Sequence, residues 1–160
     1  MSEGVEKEQI PQRLKTPQNV NVYRWLLRLE SIISPIAYTL LALYVRFQGI
    51  ERNPDVVWDE AHFGKFGSYY IKHEFYHDVH PPLGKMLIAL TEWLAGFDGE
   101  FDFDSNHSYP ESVNYKLIRQ MNACFGVACC PLAYWTAKNM GFQLLTAHLI
   151  AIMVTLEHSY

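Results

Sequence analysis

Two groups of residues in this 160-residue chain have the types and spacing to do chemistry. Asp59 and Glu60 stand side by side after the apolar, β-branched run Val56-Val57-Trp58. A carboxylate held against aromatic surface can serve as a general base, its proton affinity set by partial desolvation and by nearby Lys or His. The same pair also suits the first turn of a helix, where acidic side chains meet the positive end of the dipole. The second group is His73-Glu74-Phe75-Tyr76-His77, a literal H-E-x-x-H. On a helix this spacing puts two histidines one turn apart as zinc ligands and leaves Glu74 to activate water, with His80, Asp59 or Glu92 as a third ligand. That would make the chain a membrane zinc protease. Against it, Asp78, His80 and Pro81-Pro82 follow at once and would end a helix within about one turn. Aromatic side chains at both x positions would also crowd the metal. Histidines on a helix surface are the simpler reading, and no metal is expected.

The elements that must position these groups are helical. Phe63, Phe66, Tyr69 and Tyr70 recur at helical spacing and predict an amphipathic helix lying on a membrane surface. A second such helix is predicted from Leu83 to Leu94, with Pro81-Pro82 at its entry. Its stretch Met86 to Phe97 is apolar except for Glu92 and too short to cross a bilayer.

Composition bounds the class. With 13 Lys+Arg against 17 Asp+Glu the chain carries a net charge of −4, too acidic for a nucleic-acid binder, and 49% hydrophobic residues exclude a disordered chain. The mean hydropathy of −0.07 resembles that of a soluble protein, but the charges are unevenly placed. None falls in Ser31 to Val45, Gln120 to Ala137 or Asn139 to Leu156. These stretches predict about three transmembrane helices in an all-α membrane protein, although the Thr, Tyr, Gln and His within them also suit buried helices of a soluble core. In the first, Arg46 can snorkel and Trp25-Leu26-Leu27 extends the apolar character backwards. The prolines Pro35 and Pro131 are tolerable, one near a helix start and one as a kink.

The predicted order is a cytosolic tail over 1–30, a span over 31–48, a lumenal loop over 49–113, a span over 114–137, a cytosolic turn over 138–141 and a span over 142–157. Met1 to Gln18 is polar and is no signal peptide. Lys7, Arg13, Lys15, Arg24 and Arg28 precede the first span, whereas Gly49 to Pro82 holds three basic residues and six acidic ones. The positive-inside rule therefore puts the N-terminus in the cytosol. Asn106-His107-Ser108, an N-glycosylation acceptor, falls in the loop assigned to the lumen. Cys124, Cys129 and Cys130 all lie in the second span and read as small packing residues, not a disulfide framework. The stop at Tyr160, soon after an apolar run, looks like the end of a fragment.

Val57-Trp58-Asp59-Glu60-Ala61-His62-Phe63-Gly64-Lys65-Phe66-Gly67-Ser68-Tyr69-Tyr70, followed by Asp78-Val79-His80-Pro81-Pro82-Leu83-Gly84-Lys85-Met86-Leu87, resembles the N-terminal region of the protein O-mannosyltransferases. Leu94-Ala95-Gly96-Phe97-Asp98-Gly99 and Pro131-Leu132-Ala133-Tyr134 are also similar, so the resemblance runs from about Arg46 to Tyr160. Lys65 makes the chain look most like the second subfamily, whose members act as heteromeric partners.

The resemblance implies a multi-pass endoplasmic-reticulum membrane protein with the N-terminal portion of a GT-C fold. The implied reaction moves mannose from dolichyl-phosphate mannose to Ser or Thr hydroxyls of secretory proteins, with inversion. It implies Asp59 as the base at the acceptor hydroxyl and Glu60 as its support, which agrees with the need for one carboxylate at the attacking oxygen and little acid assistance for a phosphate leaving group. Arg119 matches an arginine of the family; its guanidinium could hold the lipid phosphate or merely anchor the interface. His80 and Lys85 are expected to border the same site, His80 fixing the loop. Full-length members have many more spans and a lumenal β-trefoil domain, so this chain is expected to hold the base but not the whole donor pocket, and to be inactive alone. A truncated, non-catalytic partner or regulator of a full-length enzyme is the alternative.

Overall fold

The computed structural model describes residues 18–157. The basic residues up to Lys15 and the chain end from His158 lie outside them. Among the described residues five helices follow in order: α1 (Gln18–Phe47), α2 (Trp58–Lys72), α3 (Pro82–Leu94), α4 (Tyr115–Asn139) and α5 (Leu144–Leu156). Among the described residues the sole β pairing is an isolated antiparallel bridge between Asp55 and Ser108. The chain divides after Ser34 into two units. In the first, the described residues carry the N-terminal part of α1, with Trp25, Leu26, Ile32 and Ile33 exposed. The second unit, from Pro35 onward, holds everything below.

Among the described helices α1, over Asn21–Phe47, is the one long and apolar enough to cross a bilayer; α5 is apolar but has 13 residues. Of the three predicted spans, then, one meets the requirement by itself. α4 has the length, at 25 residues, but Gln120, Asn122 and Thr136 dilute its apolar character. α4 and α5 form an antiparallel hairpin. Gly141, at φ +82°, takes the left-handed turn that ends α4, and Phe142 and Gly141 donate back to Ala137 and Lys138. The hairpin closes on small side chains, Ala137, Ala147 and Ala151, around a buried Tyr134. Tyr38 of α1 packs there, its hydroxyl 2.8 Å from His148 Nδ1.

The two loop helices form as their patterns predict. α3 starts at Pro82, where the missing N–H costs nothing. α2 starts at Trp58 and ends at Lys72, because His73 adopts the left-handed conformation at φ 58° and Glu74 N–H closes onto Tyr69 O at 2.9 Å. His73 and His77 therefore do not share a helix face, and the geometry that H-E-x-x-H needs is not formed.

A small core joins α2 to the segment after α3: Val56, Ala61, Phe97, Phe103 and Val113, with Tyr109 against it. Phe103 is fully buried and its ring lies on Gly64 so closely that a Cβ there would overlap it. Gly64→Ala is expected to cost about 1–3 kcal/mol through this overpacking, read as a lower thermal midpoint of the detergent-solubilised complete protein. An unchanged midpoint would mean that Phe103 moves aside without penalty. Gly67, one turn on, meets Glu92 of α3 in the same way. Glu92 is fully buried, and neither carboxylate oxygen has a hydrogen-bond partner among the described residues. Burial pushes its pKa up to about 8.

Candidate functional site

Asp59 and Glu60 sit in the first turn of α2, and the structure gives them different work. Val57 N–H donates to Glu60 Oε2 at 3.1 Å, so the helix-start role falls to Glu60. Glu60 is also the anchor of Arg119, which reaches over from α4. Arg119 Nε donates to Oε1 at 2.5 Å and Nη2 to Oε2 at 2.9 Å, a bidentate pair. The remaining guanidinium donors go to carbonyls: Nη1 to Ile50 O and Asn53 O, and Nη2 to Asp55 O at 3.1 Å. The side chains of Arg119 and Glu60 are 14% and 15% exposed, so this pair is shielded from bulk screening.

Tyr109 completes the clamp. Its hydroxyl donates to Glu60 Oε2 at 3.2 Å, and its ring stacks on Tyr115 at 4.8 Å. The Arg119 guanidinium lies 4.7 Å from the Tyr115 centroid. Burial, and then the negative charge and hydrogen bond of Glu60, push the Tyr109 phenol well above its ordinary pKa, so it stays a neutral donor.

Asp59 is the contrast. It is exposed, and its side chain makes no hydrogen bond or ion pair among the described residues. It lines two cavities at once. One, of about 670 Å³, runs past Arg46, Arg52, Asn53, Arg119 and Asn122. The other, of about 480 Å³, is walled by Phe63, Leu83, Leu87, Met121 and Phe125. An uncommitted carboxylate between a cationic and an apolar cavity has the chemistry of a base presented to two reactants.

His80 and Lys85 are brought together, but around Asp78 and not in either cavity. Lys85 Nζ donates to Asp78 Oδ2 at 3.0 Å, while His80 offers its backbone N–H at 3.1 Å and its ring Nδ1 at 3.0 Å. Burial alone would raise the Asp78 pKa, but the hydrogen bonds from Lys85 and His80 outweigh it and hold the carboxyl well below the usual range. Lys85 also lies 5.1 Å over the Phe66 ring and His80 packs on Phe63. This node fixes the connection from α2 to α3. Asn106 stands in a turn at φ +64° and is exposed, while Ser108 Oγ donates to Asp55 Oδ1.

Sequence reasoning passed over Asp78, Tyr109, Arg46 and Arg52 as site residues. Asp78 had a signal in Asp78-x-His80, since a carboxylate two residues before an N–H makes such a turn. Tyr109 is joined to Glu60 by a hydrogen bond, and Arg46 and Arg52 share a cavity wall with Asp59, placements that spacing along the chain does not show.

Lysine at position 119 keeps the charge but cannot fork onto Glu60 while also reaching three carbonyls. Arg119→Lys is expected to cost about 1–3 kcal/mol and to open the segment 49–60 to protease. Unaltered cleavage kinetics in that segment would show that the clamp is dispensable.

The family model described as dolichyl-phosphate-mannose-protein mannosyltransferase matches residues 36–160. The chain is 63% identical over 153 residues to dolichyl-phosphate-mannose–protein mannosyltransferase 6 of Saccharomyces cerevisiae, covering 96% of this chain and 20% of that protein. It is 56% identical over 135 residues to mannosyltransferase 2 of Candida albicans, covering 84% and 18%. Among solved structures it is similar to the S. cerevisiae protein O-mannosyltransferase Pmt1–Pmt2 complex bound to the sugar donor, with a TM-score of 0.73 at 35% identity, covering 79% of this chain and 17% of that one. The chain spans about a fifth of the length of the curated relatives it matches. By the extent of the family match and by these identities, it belongs to the dolichyl-phosphate-mannose–protein mannosyltransferase family.

Proposed function

We propose that this chain forms the N-terminal part of an inverting mannosyltransferase of the endoplasmic-reticulum membrane. It acts on dolichyl-phosphate mannose and on Ser or Thr hydroxyls of secretory-pathway proteins, as a heteromer with a second mannosyltransferase. The observation that carries the reading is the division of labour at the Asp-Glu pair: Glu60 is engaged by Arg119 and Tyr109, and Asp59 is left uncommitted between two cavities.

Asp59 takes the proton of the acceptor hydroxyl as its oxygen bonds to the anomeric carbon. The bond from that carbon to the phosphate oxygen breaks on the opposite face, and dolichyl phosphate leaves with the electron pair. One carboxylate suffices, because the departing phosphate carries its own charge. No metal enters this scheme.

In this reading α1, α4 and α5 each cross the bilayer and the N-terminus is cytosolic. Residues 49–113 then face the lumen, with α2 and α3 on the membrane surface and Asn106 open to glycosylation. The apolar outer side chains of α3, Leu83, Met86, Leu90, Trp93 and Leu94, are exposed and suit that surface. The test is transfer of labelled mannose to a Ser/Thr peptide in membranes carrying the complete protein with its partner, the partner's background subtracted. The expected product is the anomer opposite to the donor's, its formation depending on Asp59. A retained anomer, or transfer indifferent to Asp59, would overturn the reading.

A further inference from the structure

Resting on that reading, we infer that Arg52, and not Arg119, supplies the cation that receives the donor's phosphate beside Asp59.

Of the three arginines on the larger cavity, Arg119 is spent. Its charge is matched by Glu60 and its donors are directed to Glu60 and to the carbonyls of Ile50, Asn53 and Asp55. A phosphate would have to displace a shielded bidentate carboxylate to use it. Arg46 is drawn inward: Nη2 donates to Val154 O at 2.9 Å, and its side chain lies over Gly126, with Nε buried, without a hydrogen-bond partner among the described residues and closed off from an entering phosphate. Arg52 is exposed, has no hydrogen bond or ion pair from its guanidinium among the described residues, and lines the wall that Asp59 also lines.

Its placement is built, not accidental. After α1 the chain turns at Gly49, with φ +83° and Arg52 N–H donating to Gly49 O at 3.0 Å. The side chain then folds back across the bare Cα: a Cβ at Gly49 would lie 3.0 Å from Arg52 Nε and 3.3 Å from Cζ. Glycine at 49 thus serves both the turn and the path of the guanidinium. The cavity wall carries Arg46, Arg52 and Arg119 against Asp59 and Glu60, a positive balance that suits a phosphodiester of single charge. A planar guanidinium with free donors is the group that recognises phosphate oxygens in pairs.

The experiment uses the complete protein with its partner in membranes and compares wild type, Arg52→Gln, Arg52→Lys and Gly49→Ala. Arg52→Gln is expected to raise the KM for dolichyl-phosphate mannose about 10- to 100-fold, with the acceptor-peptide KM moving less than about twofold. Arg52→Lys should recover part of the loss, and Gly49→Ala should shift the donor KM in the same direction. Dolichyl phosphate, as a competitive inhibitor, should weaken in Arg52→Gln by a similar factor. Inorganic phosphate at the same concentration should not compete; equal competition by it would assign the subsite to a free anion and overturn the assignment to the donor. An unchanged donor KM in Arg52→Gln, or a rise confined to the acceptor, would also overturn it. Asp59→Asn, run alongside, separates the two ideas: a rate loss there with an indifferent Arg52→Gln sinks this inference alone. Indifference in both sinks the reaction itself.

Discussion

Asparagine in place of Asp59 is expected to slow mannosyl transfer by the complete protein about 10²- to 10⁴-fold, the usual worth of a positioned base. The loss should fall on kcat, because the amide keeps the shape of the carboxylate and loses its ability to take a proton. Stability should not follow: Asp59 is exposed and its side chain makes no hydrogen bond among the described residues, so its amide disturbs no packing. The measurement is transfer rate beside the thermal midpoint of the same preparation. A rate within about threefold of wild type would remove Asp59 from the role of base. A fallen midpoint would instead make its effect structural.

The second large effect concerns stability and pH. The folded protein holds Glu92 with a pKa of about 8, against 4.5 for the free side chain, because burial disfavours the charged form. A group raised in this way favours the folded state while protonated. Its contribution is intact below about pH 4.5 and is lost progressively as pH rises to about 8, beyond which the loss is complete. A gap of this size corresponds to roughly 5 kcal/mol at most. Glu92→Gln keeps the shape and stays neutral, so it should remove most of that slope and raise the thermal midpoint at pH 9 relative to wild type. The Tyr109 phenol and the Arg119 guanidinium are both pushed upward, away from this window. Parallel midpoint curves for the two proteins between pH 5 and 9 would refute the assignment.

The local signals were strong where they were local. Pro81-Pro82 marks the start of α3, aromatic spacing marks α2, and the break expected over 138–141 falls where α4 gives way to α5. The Asp59-Glu60 pair stands out in the sequence as a helix start or a base; the structure gives the helix start to Glu60 and leaves the Asp59 side chain uncommitted. What divides them is Arg119, 59 positions away from Glu60, and Tyr109, 49 positions away. No periodicity encodes a contact across that distance. Phe103 on Gly64 and Glu92 on Gly67 are hidden for the same reason: each glycine is read locally as a break or a flexible point, yet here it makes room for a side chain from another element. H-E-x-x-H failed in the opposite sense, since a left-handed His73 ends the helix that the motif needs. The three uncharged stretches were visible, but the length and the apolar character needed to cross a bilayer were met together by α1 alone among the described helices.

The distance between Glu60 and Arg119 also sets an order of events in time. At a synthesis rate of about 5–20 residues per second, the arginine follows its carboxylate by roughly 3 to 12 s. For that interval Glu60 has neither its bidentate partner nor the phenol of Tyr109, and residues 49–55 lack the cation that gathers their carbonyls. The first turn of α2 can therefore be made early but not locked until the start of α4 has been delivered. Anything that delays α4 prolongs the life of an open, acidic loop.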